Sequence, residues 1–283
     1  MEIPYINGDY KILFQPQKYG NYVNDHCIIK GNGSYHLFGI TSFTSSPPDE
    51  RMFVHGVGNS LSAPFNEVGV SINTGTLAWS PCVIEKDDHY YIYYGPSPSK
   101  MAVSPDFYEW FGYPITIENE PPMAMHRDHF VMQIGDRYYM YASGIKDKKG
   151  CLSVASSFDL LHWKFEGYAL TSDDKAPLKP AWGAFESPFI VKRDDYYYLF
   201  ITYTDCNDAN YNDTFVFASK DPLNFGCYMG DKNPAQLVTK LYAHAPEILQ
   251  EDGQYYITTC GWLNAPTPNK GCVSIAPLSW KSL

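Results

Sequence analysis

Apolar and polar positions alternate along this chain in short runs. Five tyrosine-led clusters stand out: Tyr35-His36-Leu37-Phe38, Tyr90-Tyr91-Ile92-Tyr93-Tyr94, Tyr138-Tyr139-Met140-Tyr141, Tyr196-Tyr197-Tyr198-Leu199-Phe200 and Tyr255-Tyr256-Ile257. Each follows a polar turn, such as Asp87-Asp88, Gly135-Asp136 or Asp252-Gly253, and each turn follows another short apolar run, such as Cys27-Ile28-Ile29 or Phe189-Ile190-Val191. Strand, Gly/Asp turn and aromatic strand together predict a β-hairpin. A second marker lies downstream: Ser104-Pro105-Asp106 leads to Trp110, Ser157-Phe158-Asp159 to Trp163, and Ser219-Lys220-Asp221 to Phe225. It reads as a turn into an outer strand. No long stretch carries a 3.6-residue apolar period, so little helix is expected.

The leading tyrosines are 55, 48, 58 and 59 residues apart. Periods near 50 residues with several strands each predict a β-propeller. The expected fold is all-β: one five-bladed β-propeller over residues 1–283, with four-stranded antiparallel blades and no room for a C-terminal β-sandwich. Ten residues before each leading tyrosine stand Asp25, Ser80, Asp128, Glu186 and Ala245. In a propeller the first strand of each blade lines the axis. Asp25, Asp128 and Glu186 are therefore expected around one pocket at one mouth of the channel, where the alternative is that each merely caps a turn. Converging carboxylates are what glycoside cleavage requires.

Composition narrows the partners. With 21 basic and 31 acidic residues the net charge is −10, which argues against nucleic acid or an anionic membrane as the main partner. The 24 Tyr, 16 Phe and 6 Trp suit strands first, with a minority left to stack on sugar rings. The seven cysteines include no C-x-x-C pair, so no zinc or redox site is expected and the thiols read as small apolar residues. No cofactor is expected. The segment Met1-Glu2-Ile3-Pro4-Tyr5 lacks a basic start followed by an apolar stretch, no run of about 18 apolar residues occurs, and a cytoplasmic location is expected.

The order of short motifs resembles the five-bladed glycoside hydrolases of families 32 and 43. Asn24-Asp25-His26 with Tyr35-His36-Leu37-Phe38 resembles the family 32 motifs N-D-P-N-G and Y-H-L-F, and Arg127-Asp128-His129 resembles R-D-P. Phe185-Glu186-Ser187-Pro188 lies between the W-E-C-P of family 32 and the E-G-P of family 43. Trp79-Ser80-Pro81 resembles the W-A-P of family 43, and Tyr242-Ala243 with Gly261-Trp262 is similar to blade five of family 32. His26 and His129 replace the prolines of the family 32 motifs. The resemblance implies Glu186 as general acid, Asp25 as nucleophile (family 32) or water-activating base (family 43), and Asp128 as the group that holds hydroxyls and stabilises positive charge. Arg127 would orient Asp128 or Glu186. Asn24 and His26 flank Asp25 as hydroxyl-binding candidates. Trp79 suits a sugar platform or the core, Trp182 the pocket wall or the core, and His244 the axis or a structural role; no metal is assigned.

The implied activity is release of a terminal furanosyl unit, in the first place as a retaining, exo-acting β-fructofuranosidase on short oligosaccharides. An inverting α-L-arabinofuranosidase or β-xylosidase is the alternative, and a non-catalytic sugar-binding propeller a second one. A WD-type interaction propeller lacks its G-H and W-D signatures. A phosphorolytic enzyme lacks a basic cluster for phosphate.

Overall fold

The computed structural model describes residues 1–44 and 49–283, and the described residues contain no α-helix. Two N-terminal strands, β1 (Glu2–Ile6) and β2 (Lys11–Phe14), precede five sheets. Blade one is β3 (Asn24–Gly31), β4 (Ser34–Thr41), β5 (Met52–Gly58) and β6 (Asn66–Asn73). Blade two is β7 (Trp79–Lys86), β8 (His89–Gly95), β9 (Lys100–Ser104) and β10 (Phe111–Tyr113). After β11 (Thr116–Glu118), blade three is β12 (Ala124–Ile134), β13 (Arg137–Lys146), β14 (Lys149–Ser157) and β15 (His162–Ser172). Blade four is β16 (Phe185–Arg193), β17 (Tyr196–Tyr203), β18 (Asp213–Ser219) and, beyond β19 (Gly226–Tyr228), β20 (Leu237–Tyr242). Blade five is β21 (Ile248–Glu251), β22 (Gln254–Cys260) and β23 (Val273–Ser282), completed by β1.

Each blade is thus a four-stranded antiparallel meander in a five-bladed propeller, as the period predicts. Three short strands are added at the edges: β2 pairs antiparallel with β23, whereas β11 and β19 run parallel to β15. The ring closes because β1 pairs with β23 from Glu2↔Ser282 to Ile6↔Leu278. That pairing covers what would otherwise be an open edge of blade five. Glu2 also anchors the closure to blade four, its main-chain NH donating to Tyr198 Oη at 2.8 Å and its carboxylate pairing with Arg193.

The downstream marker has a clear physical role. In blade two Ser104 Oγ accepts from Phe107 N at 2.8 Å, and Asp106 Oδ1 accepts from the NH groups of Tyr108 and Glu109 at 2.8 and 3.0 Å. In blade three Ser157 and Asp159 do the same for Leu160, Leu161 and His162. Side chains of this kind satisfy turn NH groups that no strand partner reaches. The tryptophan that follows then closes the turn: Trp110 Nε1 donates to Phe107 O and Trp163 Nε1 to Leu160 O. Leu160 O also accepts from Tyr93 Oη of blade two at 2.6 Å, and the Tyr93 and Trp163 rings meet edge to face at 5.7 Å. Blades two and three are therefore locked through this turn. Trp163→Ala should destabilise the protein by about 3–5 kcal/mol and lower the melting temperature by on the order of 10 °C. Trp163→Phe should recover most of that loss, both measured by thermal denaturation.

Candidate active site

Successive residues of a regular strand point to opposite faces. The first strand of each blade breaks this rule at one position. Asp25, Ser80, Asp128 and Ser187 all have positive φ (29°, 47°, 58° and 50°), as does Ala245 just ahead of β21 (45°). In the first four blades the strand pairing slips at that residue, as in a β-bulge. The result is three tiers around the axis. Asn24, Trp79, Arg127, Glu186 and His244 form the upper tier and all line one pocket of about 320 Å³. Asp25, Ser80, Asp128, Ser187 and Ala245 form the floor. His26, Pro81, His129, Pro188 and Pro246 line a chamber of about 30 Å³ beneath, room for a water.

Glu186 therefore stands one position ahead of Asp25 and Asp128, not at their register. The ten-residue count misleads in blade four because Tyr196 itself closes the hairpin, opposite Arg193. In the other blades Ser34, His89, Arg137 and Gln254 hold that place and the tyrosine follows. The true blade-four equivalent of Asp25 is Ser187. The three carboxyls nevertheless meet in one pocket.

The floor is a closed hydrogen-bond circuit. Ser80 Oγ reaches both Asp25 Oδ2 and, at 2.7 Å, Asp128 Oδ1. From the other side Ser187 Oγ donates to Asp25 Oδ1 and Ser187 N to Asp128 Oδ2, each at 3.2 Å. A hydroxyl has one proton to give, so Ser80 cannot donate to two carboxylates at once. Burial raises both aspartates and so favours a proton on one of them, from which the hydroxyl can accept, and the pair titrates as a unit. Burial raises both carboxyls; the Ser80 hydroxyl and Arg127 act most strongly in the other direction on Asp25, and Arg127 on Asp128.

Arg127 is the one cation among the described residues lining the pocket, and it is 5% exposed. Its Nη2 donates to Glu186 Oε1 at 3.0 Å, its Nε lies 3.4 Å from Asp128 Oδ2, and Nη1 donates to the carbonyls of Met125 and Trp182. It orients Glu186 first and Asp128 second. Burial pushes the Glu186 carboxyl up to about 7, Arg127 draws it down, and Asp128 and Asp25 push it up again. At neutral pH a large share of Glu186 holds a proton.

Of the remaining sequence candidates, Asn24, Trp79, Trp182 and His244 all line the pocket. Among the described residues, Asn24 Oδ1 and the Trp79 and Trp182 indole NH groups have no hydrogen-bond partner of ordinary geometry. His244 stacks on Tyr211 at 4.0 Å and its Nδ1 donates to Tyr211 O at 2.9 Å. Burial lowers its pKa to about 4, so the ring is neutral with Nε2 left as an acceptor. His26 is not brought to the pocket. The bulge at Asp25 turns it into the lower chamber, where Nε2 meets Thr258 Oγ1 at 2.8 Å. Among the described residues no group of three or more His, Cys, Asp or Glu could hold a metal.

Sequence reasoning passed over four contributors. Ser80 and Ser187 link the aspartates. Trp262 and Glu50 complete the wall beside Met125 and Cys206. Glu50 lies between β4 and β5, where no repeat marks it, and Trp262 carried a blade-five resemblance without a role.

No protein-family profile and no curated protein sequence matches the chain. Solved structures do. A mutant family 32 β-fructofuranosidase from Bombyx mori in complex with sucrose aligns with a TM-score of 0.67 at 17% identity, over 96% of this chain and 62% of that one. A family 43 β-xylosidase/α-arabinofuranosidase from a compost microbial metagenome in complex with xylotriose aligns with a TM-score of 0.69 at 14% identity, over 99% of this chain and 98% of that one. Sucrose-6-phosphate hydrolase from Lactobacillus gasseri aligns with a TM-score of 0.66 at 17% identity, over 94% and 61%. The chain thus spans about three fifths of the β-fructofuranosidase and of the sucrose-6-phosphate hydrolase, and nearly all of the family 43 structure. At these identities the likeness establishes the fold: the five-bladed propeller of the family 32 and family 43 glycoside hydrolases.

Proposed function

We propose that this protein is a glycoside hydrolase that removes a terminal furanosyl unit from short, soluble oligosaccharides. The observation that carries the reading is the meeting of Asp25, Asp128 and Glu186 in one pocket, with Glu186 raised to about 7. A general acid must hold its proton at working pH and give it up to the departing oxygen. Glu186 fits that task because burial favours the neutral acid while the Arg127 contact fixes its direction. Asp25 accepts hydroxyls from Ser80 and Ser187 and is the group to attack the anomeric carbon or to activate water. Asp128, tied to Asp25 through Ser80, holds the proton of the pair and binds sugar hydroxyls, while ionised Asp25 answers the positive charge that develops at the anomeric carbon. Fructose is the first sugar to test, on the strength of Asn24-Asp25, Arg127-Asp128 and the blade-five Trp262. A pentofuranosyl or xylosyl substrate is the second reading, favoured by the near-complete overlap with a family 43 structure. Seven free cysteines support a reducing compartment, hence imported short sugars as substrates.

The test is sugar release from sucrose, short fructosides, and aryl arabinofuranosides and xylosides. Release of fructose from a fructoside supports the first sugar, and arabinose or xylose the second. Release of no sugar from the whole panel would remove the hydrolase reading and leave a binding propeller. Glu186→Gln should lower turnover of natural substrates roughly 10²–10⁴-fold, with much smaller loss on aryl glycosides whose leaving group needs no proton. The anomeric form first released, read by NMR, separates retention from inversion.

The pH profile follows from the signs. Glu186 acts protonated, so activity falls as pH rises through about 7. Asp25 acts ionised, so activity falls on the acid side as the aspartate pair takes up its second proton. The Ser80 hydroxyl lowers both aspartates. Ser80→Ala should therefore move the acid limb to higher pH by roughly one unit and leave the basic limb in place. An unmoved acid limb would count against the shared-proton arrangement.

A further inference from the structure

Among the described residues, Glu50 is the one carboxyl in the pocket wall to which the catalytic scheme gives no task. It is 3% exposed, yet it lines the pocket. Its main chain is pinned across to blade two, where Ala78 N donates to Glu50 O at 2.9 Å. One carboxyl oxygen, Oε1, takes two donors at once: Tyr22 Oη at 2.9 Å and Trp262 Nε1 at 2.8 Å. The other oxygen makes no hydrogen bond of ordinary length among the described residues. Burial raises the Glu50 carboxyl to about 7 against the pull of Trp262, Tyr22 and, more weakly, the Trp79 indole, whose NH makes no hydrogen bond of ordinary geometry among the described residues. A buried carboxyl kept only as glue between blades would have both oxygens satisfied. Here one oxygen is clamped by two donors, while the other oxygen has no such clamp and shares the pocket wall with Asn24 and Trp79. That is a recognition group fixed by its surroundings and left open to a ligand.

We propose that Glu50 binds the hydroxyls of the terminal sugar through Oε2 and selects uncharged sugars. The proposal rests on the glycosidase reading for its substrate class but not for its binding claim. A carboxylate accepts two hydroxyl donors in a fixed plane, which suits neighbouring hydroxyls of one ring. The charge around it sets the second half. Asp25, Asp128, Glu186 and Glu50 face one arginine, and Arg127 is already engaged by Glu186 and Asp128. A phosphate or carboxylate on the bound ring would meet an acidic wall in which Asp25, Asp128, Glu186 and Glu50 already outnumber Arg127, with no second cation among the described lining residues to answer it. Terminal sugars bearing a phosphate or a uronic acid are refused at this wall, and neutral ones are held.

The experiment measures binding and turnover separately. Calorimetry on the wild-type protein and on Glu50→Gln uses free fructose, arabinose, xylose and fructose 6-phosphate as probes. Glutamine keeps an oxygen for Tyr22 and Trp262 but offers no second acceptor. Glu50→Gln should bind the preferred neutral sugar about 10- to 100-fold more weakly, the loss of a hydrogen bond to a charged group, and should narrow the preference for fructose over its phosphate. On a turned-over glycoside, KM should rise by a similar factor with kcat changed less than about 3-fold. Should Glu50→Gln fail to fold, Trp262→Phe releases the clamp while keeping an aromatic ring, and should weaken binding about 3- to 10-fold. Equal affinity in wild type and variant, an unchanged preference against the phosphate, or no binding of any probe by the wild type would overturn the assignment. If the variant loses sugar binding while the wild type cleaves no glycoside, the hydrolase reading falls and the role of Glu50 stands.

Discussion

The site depends on one backbone departure: a left-handed residue in or just ahead of the first strand of every blade. In a regular strand Asn24 and Asp25 would face opposite sides, and so would Arg127 and Asp128. The positive φ at Asp25 and Asp128 lets both members of each pair reach the same pocket. L-residues adopt this conformation at a cost of about 1–2 kcal/mol, more readily when the side chain can bond locally. Asp25, Ser80, Asp128 and Ser187 recover that cost together, because the side chains so turned are the ones that bond to each other across the axis. Ala245 has no such bond from its side chain; its NH instead donates to Thr202 Oγ1 at 2.9 Å.

Charge is the second constraint, and magnitudes decide its outcome. Two carboxylates that share one hydroxyl sit within a few ångströms of each other. Even at an effective dielectric of 20 their repulsion is about 3–4 kcal/mol. Holding a proton one pH unit above its usual range takes only about 1.4 kcal/mol. Arg127 offsets part of the repulsion, but one guanidinium cannot neutralise Asp25, Asp128, Glu186 and Glu50. Burial is the main cause that pushes Glu186 and Glu50 each up to about 7, and the neighbouring carboxylates add to it. The same crowding that makes the floor hard to ionise leaves an acid ready to donate.

Much of this was legible in the sequence, and the rest failed for identifiable reasons. The tyrosine clusters and polar turns were visible because a strand facing a neighbouring blade needs aromatic bulk and a tight turn needs Asp or Gly. Asp25 and Asp128 followed from the repeat. Glu186 emerged by a count that was off by one, since three tyrosines in a row hid which of them closes the hairpin. Ser80 and Ser187 were not legible: a serine at a register position looks like the absence of a carboxylate, and its bridging role exists only once two distant aspartates flank it. His26 pointed the wrong way because its neighbour's bulge, not strand alternation, sets its direction.

The division between what repeats and what does not runs through the site itself. Residues on the first strands supply the carboxyls that meet in the pocket, and the five-fold repeat holds them around one axis. Glu50 and Trp262 come from connections, after β4 and after β22, where no phase is imposed and a change of sequence disturbs no inner strand. Scaffold-held catalysis with loop-held recognition is a common division of labour in folds of this kind. The first strands bring the three carboxyls to one pocket, while the clamp of Tyr22, Glu50 and Trp262, to which we assign sugar choice, lies outside those strands.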